Sequence, residues 1–236
     1  MIGNIFIVKW YHIFIHPFFL IRYRIEQQIK LQAVKLTGNL LDFGCGSKPY
    51  QQYFTHTLSY IGLDIVQSGH THKNEQIDVY YNGKTIPFAD NHFDAIFSCE
   101  VFEHVFNIDE ILPEINRVLK PKGKLLFSCP FAWPEHEVPY DFARYSSFGI
   151  KAIIEKHGFT IIEQVKTGHF FEVIMQYLLL YIFYFIPKKP QWLYYILHQI
   201  FVLPLLIIAL SLSAILPKVM KRKDMYFNNI LLVSKN

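Results

Sequence analysis

Residues 40–46 read Leu-Leu-Asp-Phe-Gly-Cys-Gly, and residues 60–64 read Tyr-Ile-Gly-Leu-Asp. Both contain short apolar runs of the kind that form buried strands. Gly44 and Gly46 allow a sharp turn and let the backbone approach a ligand, because no Cβ stands in the way. Asp64 lies 20 positions after Gly44, the spacing at which an acid ending the next parallel strand accepts hydrogen bonds from ribose hydroxyls. Together the runs predict a nucleoside-binding turn; the alternative is a glycine turn after an ordinary buried strand.

The turn departs from the dinucleotide-binding pattern in two ways. Residues 44–49 read Gly-Cys-Gly-Ser-Lys-Pro, so the third glycine of Gly-x-Gly-x-x-Gly is missing. Asp42 also places a carboxylate two residues before the turn, where it would repel a pyrophosphate but attract a cation. S-adenosylmethionine carries a sulfonium and an ammonium and has no phosphate. The turn therefore favours this cofactor over a nicotinamide dinucleotide.

Four segments, in this order along the chain, resemble motifs of the class I S-adenosylmethionine-dependent methyltransferases. They are Asp-Phe-Gly-Cys-Gly at 42–46, Ile-Pro-Phe-Ala-Asp-Asn-His-Phe-Asp-Ala-Ile-Phe-Ser at 86–98, Glu-Val-Phe-Glu-His-Val at 100–105, and the stretch 117–127 that leads into Leu-Leu-Phe. The resemblance implies methyl transfer to an acceptor. It also implies a Rossmann-like α/β fold, a doubly wound and mostly parallel seven-stranded sheet whose last strand is antiparallel.

The hydrophobic pattern by itself predicts a similar order of elements. From 39 to 170 short apolar runs alternate with helical stretches, which is typical of βαβ units in a parallel sheet. Strands are predicted near residues 39–43, 59–64, 76–80, 94–98, 123–128 and 159–165, and a last strand in 225–233. Helices are predicted near 48–54, 107–119 and 146–157, the last of them ended by Gly158.

The chain is predicted to have four regions. These are an N-terminal amphipathic, interfacial helical region (1–36), a methyltransferase core (37–170), an apolar helical hairpin inserted before the last strand (171–222), and that strand (223–236). A hairpin crossing the membrane twice would carry Lys188 and Lys189 to the far side, against the positive-inside tendency. A hairpin lying in one leaflet is therefore favoured, at the cytoplasmic face of a membrane. The alternative is a cytoplasmic protein whose hairpin packs on its own domain or on a second subunit.

Composition excludes other classes of protein. The 236 residues are 52% hydrophobic and 17% aromatic, with a formal net charge of +4, which is too apolar for a disordered chain. No Lys/Arg run with interleaved aromatic residues predicts a nucleic-acid groove. The three cysteines have no Cys-x-x-Cys spacing, which predicts reduced thiols in the cytosol.

Cofactor-binding residues are predicted at the ends of the strands. Asp42, Gly44 and Gly46 are assigned to the methionine end, Asp64 to the ribose, and Asn82 or Asp78 to the adenine, with Cys45 and Cys99 lining the same cleft. A nicotinamide oxidoreductase of Rossmann type and a non-catalytic membrane adaptor with a methyltransferase-like fold are the two alternatives.

Acceptor-side residues are predicted in the proline-punctuated loop at 129–145 and after the fourth strand. His136 is the first candidate for a general base, because the unperturbed pKa of histidine lies near operating pH, and His104 is the second. Asp141 and Arg144 are spaced to pair with each other. No His/Cys cluster has metal-ligand spacing, so no metal site is predicted. The acceptor is expected to be a small molecule, a lipid or a lipid-linked molecule, and the sequence leaves the oligomeric state open.

Overall fold

The computed structural model describes residues 6–14, 16–66, 75–219 and 222–236. Parts of the predicted regions 1–36, 37–170 and 171–222 therefore lie outside the described residues. The chain divides into two compact units, residues 28–165 with 228–236 and residues 1–27 with 166–227. The domain boundaries predicted from sequence stay predictions.

A seven-stranded sheet forms the first unit's framework. The strands are β1 (Gly38–Phe43), β2 (Thr57–Ile65), β3 (Val79–Tyr81), β4 (Phe93–Cys99), β5 (Leu119–Pro130), β6 (Phe159–Lys166) and β7 (Asn228–Lys235). Their order in the sheet is β3-β2-β1-β4-β5-β7-β6. Strands β1 to β5 pair in parallel, and β7 runs antiparallel to β5. The predicted Rossmann-like architecture is confirmed, and the strand order reverses between β1 and β4, where ligands bind in such sheets.

Two helices of this unit match the predicted ones, α2 (Ile108–Val118) and α3 (Ser147–Lys156). The apolar residues of α2 recur at helical spacing and are buried, namely Ile108, Ile111, Leu112, Ile115 and Val118. Helix α3 begins where the Ser146 hydroxyl accepts a hydrogen bond from the Gly149 N–H, and it ends before Gly158, which has a φ of +79°. This capping is typical of helix ends and agrees with the sequence.

The prediction of a helix at 48–54 is wrong. The structure has only a single 3₁₀ turn there, Gln51–Tyr53. Lys48 takes a φ of +51° and is followed by Pro49. A left-handed residue followed by proline interrupts a helix before it can propagate. The strand predicted at 76–80 is also shorter and later, Val79–Tyr81.

The second unit is helical. It contains a 3₁₀ turn (Trp10–Phe14), the first part of α1 (Phe19–Ala33), α4 (Phe170–Phe185), α5 (Gln191–Leu197) and α6 (Leu203–Val219), with α5 and α6 joined through a π-helical turn (His198–Val202). The apolar insertion before β7 is therefore helical, as predicted. Within the described residues, one helical stretch, Gln191–Ser213, is long and apolar enough to cross a membrane.

Two polar side chains buried in helix α4 have hydrogen-bond partners within the second unit. Arg24 donates from Nε and Nη2 to Glu172 Oε1 at 3.0 and 2.5 Å. Gln176 Nε2 donates to the Pro17 carbonyl at 2.9 Å. These contacts tie helix α4 to the N-terminal segment on the polar side of the helix.

Candidate functional site

The glycine turn after β1 is fastened to the end of β2. The N–H groups of Gly44 and Cys45 donate to the Leu63 carbonyl at 2.8 and 3.1 Å. The N–H of Gly46 donates to Asp64 Oδ2 at 2.8 Å. The two acidic motifs that the sequence predicted as partners therefore lie together at the carboxyl ends of neighbouring parallel strands.

Gly44 is required by its surroundings as well as by its conformation. Its φ is +73°, and a Cβ built there would lie 2.4 Å from Val101 Cγ2. Val101 follows β4, so the absent side chain lets the end of the fourth strand press against the turn. The turn thus joins β1, β2 and the segment after β4 at one edge of the sheet.

Asp42 is buried beneath this turn, with 3% of its surface exposed. Tyr60 on the adjacent strand donates its hydroxyl to Asp42 Oδ2 at 2.6 Å. Burial raises the pKa of Asp42 to about 7; the Tyr60 hydrogen bond opposes this shift and the nearby Asp64 adds to it. Its carboxyl group is therefore poised to ionise when a cation approaches.

Asp78 is held by a residue that the sequence analysis did not identify. Its Oδ2 accepts from the Gly62 N–H at 2.6 Å and pairs with Lys48 Nζ. Burial opposes ionisation of Asp78, but these two hydrogen bonds outweigh it and lower the pKa. The Lys48 side chain crosses the site of Gly62, where a Cβ would lie 2.3 Å from Lys48 Cε. Asp78 thus fixes the turn, and its predicted contact with adenine stays a prediction.

The other predicted cofactor residues occupy different surroundings. Asn82 is exposed, and its Oδ1 accepts from the N–H groups of Lys84 and Thr85 at 2.9 and 3.0 Å, which closes the turn after β3. Cys99 ends β4 and accepts a hydrogen bond from the Ser128 hydroxyl at 3.3 Å. Cys45 is buried, and burial together with nearby carboxylates raises the pKa of its thiol well above the usual range. Such a thiol is a packing group at neutral pH.

The strand ends suit S-adenosylmethionine. Asp42, Asp64 and Asp78 gather carboxyl groups at the turn, and both Asp64 and Asp78 raise the pKa of Asp42. A sulfonium and an ammonium would relieve that repulsion, whereas a pyrophosphate would add to it. The turn of Gly44 and Gly46 supplies backbone close to the ligand without side chains. When bound, S-adenosylmethionine supplies an electrophilic methyl group on a positively charged sulfur.

On the β4 side of the point where the strand order reverses, a short 3₁₀ turn after β4 and the loop after β5 bring three polar side chains together. Glu103, His104 and His136 each offer one ligand atom within 4.8 Å of the other two. Glu103 is fully buried, and its burial with the neighbouring Glu100 raises the pKa of its carboxyl well above the usual range. Burial and the nearby His104 lower the pKa of His136. The sequence showed no such cluster, because 32 positions separate the two histidines.

The loop that carries His136 is braced by the predicted pair of Asp141 and Arg144. Arg144 donates from Nη1 and Nη2 to the two oxygens of Asp141 at 2.5 and 2.6 Å, and it also binds the carbonyls of Trp133 and Pro134 at 3.0 Å each. Burial opposes ionisation of Asp141, but hydrogen bonds from Arg144 and from the His136 N–H lower the pKa to about 2. A charged, buried clamp therefore holds the loop over the site.

Comparison with known proteins covers the same part of the chain. A family model described as a methyltransferase domain matches residues 41–127, which include the glycine turn, Asp64 and the segment after β4. The ubiquinone/menaquinone biosynthesis C-methyltransferase UbiE of Shewanella oneidensis is 47% identical over 60 residues, 25% of this chain and 24% of that protein. The match thus spans about a quarter of the curated relative's length.

Two solved structures illustrate the shared fold. Phosphoethanolamine N-methyltransferase 2 of Haemonchus contortus, in complex with S-adenosyl-L-methionine, has a TM-score of 0.55 at 20% identity, over 96% of this chain and 56% of that one. The [4+2]-cyclase SpnF has a TM-score of 0.55 at 18% identity, over 91% of this chain and 80% of that one. At these identities the likeness concerns the fold alone. The matched methyltransferase-domain model, the four motifs and the geometry of the turn together identify residues 41–127 as a class I S-adenosylmethionine-dependent methyltransferase domain.

Proposed function

We propose that this chain transfers a methyl group from S-adenosylmethionine to a small-molecule or lipid acceptor at a membrane surface. The observation that supports the cofactor assignment is the joining of Asp42, the Gly44–Gly46 turn and Asp64 at the carboxyl ends of β1 and β2. Asp42 is proposed to face the cationic end of the cofactor and Asp64 the ribose. The acceptor is proposed to lie under the loop after β5.

Methyl transfer from a sulfonium depends chiefly on alignment. The carbon–sulfur bond breaks as the acceptor atom bonds to the methyl carbon, and the acceptor must lose a proton if it is a hydroxyl, an amine or an acidic carbon. His136 and His104, predicted as bases from sequence, lie next to each other with ring centroids 4.7 Å apart. They supply nitrogen lone pairs where the acceptor is expected to bind.

Calorimetric titration of the full chain with S-adenosylhomocysteine and with NADH tests the cofactor assignment. We expect S-adenosylhomocysteine to bind and Asp64→Ala to weaken its binding at least about tenfold, since the two hydrogen bonds that the carboxylate would accept from the ribose are lost. Asp224→Asn, at an exposed carboxylate paired with Arg222, is the matched control and should bind normally. Binding of NADH without binding of S-adenosylhomocysteine would reject the proposal and favour an oxidoreductase.

The membrane part of the proposal rests on the outer faces of the inserted helices. Helix α4 exposes seven large apolar side chains, and the stretch from α5 to α6 exposes nine among the side chains that the structure describes. The most exposed of them flank the connection between the helices: Tyr184, Phe185 and Trp192. Lys188 and Lys189 are exposed in that connection. Aromatic rings beside lysines are typical of segments placed at the level of lipid headgroups.

The polar side chains of α4 lie on the side of the helix opposite to its exposed apolar side chains. Glu172 and Gln176 are fully buried and bind Arg24 and Pro17 within the same unit. A helix that pairs its polar side with protein and leaves its apolar side exposed is suited to lie in the membrane interface. We therefore place the unit in one leaflet rather than across the bilayer.

Flotation with vesicles of neutral and of anionic lipid tests this placement. The double variant Phe185→Glu/Trp192→Glu should lose vesicle binding. The control Leu58→Glu/Phe148→Glu, at two still more exposed apolar sites of the other unit, should keep it. Lys188→Glu/Lys189→Glu should lose roughly 30-fold in affinity for anionic vesicles only, at about 1 kcal/mol per removed lysine. A chain that does not bind vesicles but forms a dimer through these helices would contradict the membrane proposal.

The acceptor class can be tested by labelling. The name of the curated relative specifies ubiquinone and menaquinone biosynthesis, so acceptors with a polar ring and an apolar tail are reasonable first substrates. Incubation with methyl-labelled S-adenosylmethionine and a total membrane-lipid extract should place label in the organic phase. Label that appears only with water-soluble metabolites would reject a lipid acceptor and leave a small molecule.

A further inference from the structure

Glu103 is a buried carboxylate without a partner. It is fully buried, and neither of its oxygens accepts a hydrogen bond from another residue in the described parts of the chain. An unpaired buried charge is costly, so native proteins pair such groups, protonate them or place a cation against them. Two histidines, whose ring nitrogens also bind cations, lie close to it: His104 and His136.

His104 is oriented so that one ring nitrogen faces Glu103. Its Nδ1 lies 2.6 Å from the Tyr140 carbonyl oxygen. A carbonyl only accepts, so Nδ1 carries the proton and Nε2 keeps its lone pair. That Nε2 lies 3.8 Å from Glu103 Oε1, which is too long for a hydrogen bond but suits two atoms that share an ion between them.

His136 is held in the same way. Its Nδ1 lies 3.1 Å from Asp141 Oδ2 and 3.3 Å from the Pro134 carbonyl oxygen. Arg144 Nη2, a donor, lies farther from the same nitrogen, at 3.5 Å. The two closer partners are acceptors and favour a proton on Nδ1, which leaves the free lone pair on Nε2. Arg144 fixes Asp141 in place. A histidine whose outer nitrogen donates to a carboxylate or a carbonyl is the usual arrangement around a bound metal ion.

We propose that Glu103, His104 and His136 bind a divalent transition-metal ion. Two histidines and one carboxylate favour Zn²⁺, Mn²⁺ or Fe²⁺ and leave coordination positions open for water or substrate. Ligand atoms about 2.1 Å from a common ion lie roughly 3–4 Å apart. The three atoms are within 4.8 Å of one another, so side-chain shifts of about 1 Å close the site.

The role of the ion rests on the proposed methyl transfer. An open coordination position would take a hydroxyl oxygen of the acceptor and lower its pKa, so that the oxygen loses its proton to solvent before it attacks. The carbon–sulfur bond then breaks as the carbon–oxygen bond forms. In this reading the two histidines are ligands rather than bases, and the acceptor is a hydroxylated molecule.

Titration of chelator-treated full-length protein with Mn²⁺, followed by electron paramagnetic resonance and by calorimetry with Zn²⁺, tests the site. We expect one ion per chain. Glu103→Gln and His136→Ala should each weaken binding at least about tenfold. His157→Ala is the matched control, since His157 also lies against a carboxylate, 2.6 Å from Asp109, and its removal should leave binding unchanged.

A second readout separates a misfolded variant from a missing ligand. Glu103→Gln should raise the Tm of the metal-free protein by removing the buried unpaired carboxylate, and added Zn²⁺ should raise the Tm of the unaltered chain only. S-adenosylhomocysteine should bind in the presence and absence of metal, so failure of the cofactor assignment and failure of the metal site give different results. Absence of any ion binding at millimolar Mn²⁺ and Zn²⁺, or binding that survives both substitutions, would overturn the proposal.

Discussion

Gly44→Ala isolates the contact that holds the end of β4 against the cofactor turn. Gly44 and Gly46 both have a positive φ, +73° and +46°, so alanine costs each about 1–2 kcal/mol of backbone strain. Only Gly44 is crowded: a Cβ there would lie 2.4 and 2.7 Å from the two Cγ atoms of Val101, whereas the nearest atom at Gly46 is 3.8 Å away. Overpacking of this kind adds about 1–3 kcal/mol.

Urea unfolding followed by circular dichroism measures the difference. Gly44→Ala should lower the free energy of unfolding by about 2–5 kcal/mol, and Gly46→Ala by about 1–2 kcal/mol. Adding Val101→Ala to Gly44→Ala should restore part of the excess, because the two methyl groups of Val101 cause the clash. Equal losses for the two glycines, or no recovery in the double variant, would refute the argument that Val101 presses on the turn.

Three further predictions concern charges. The folded pKa of Asp42 is about 7 and lies above its unfolded value, so protonation of this group stabilises the fold at low pH and that stability is lost as the pH rises. Asp42→Asn does not titrate and should gain stability relative to the unaltered chain between about pH 4 and 7. Urea unfolding should show a total gain on the order of 4 kcal/mol. Lys48→Met should move the midpoint of this pH dependence above 7, since Lys48 lowers the pKa of Asp42, while the exposed Lys151→Met should not. Arg24→Ala should destabilise the helical unit by about 2–4 kcal/mol in thermal unfolding, because it removes the hydrogen-bond donor of the buried Glu172 carboxylate and leaves it His169, 3.8 Å away. Glu172→Gln in the same chain should recover part of the loss.

The sheet and the cofactor turn were predictable because their signals are local. The run at 40–46 contains a strand, a carboxylate and two glycines within seven positions, and the 20-residue spacing to Asp64 follows from the connection between two neighbouring parallel strands. The antiparallel last strand was predicted from the family resemblance. Each of these features depends on neighbouring residues or on a repeated spacing along the chain.

The features that sequence missed depend on tertiary contacts. Lys48 falls within the helix predicted at 48–54, but in the structure its side chain passes over Gly62 and pairs with Asp78. The left-handed backbone of Lys48 was not predictable either, because lysine has no preference for that conformation. The approach of His136 to His104 depends on the path of the loop after β5, which no periodicity encodes. Spacing rules for metal ligands find sites within one element and miss sites assembled from two loops.

The insertion of a helical unit before β7 adds only a small entropic cost of loop closure. Strand β7 lies between β5 and β6, next to the edge of the sheet, so β6 and β7 join the sheet side by side only when the chain between them closes a loop. That segment, 167–227, has 61 residues. Closing it costs about 4 kcal/mol by (3/2)RT ln n, only about 2 kcal/mol more than a five-residue connection. The Phe227 N–H donates to the Thr167 carbonyl at 2.9 Å, which joins the two ends of the insertion. A methyltransferase sheet can therefore carry such a unit at this connection with little loss of stability, since contacts within the unit offset the loop.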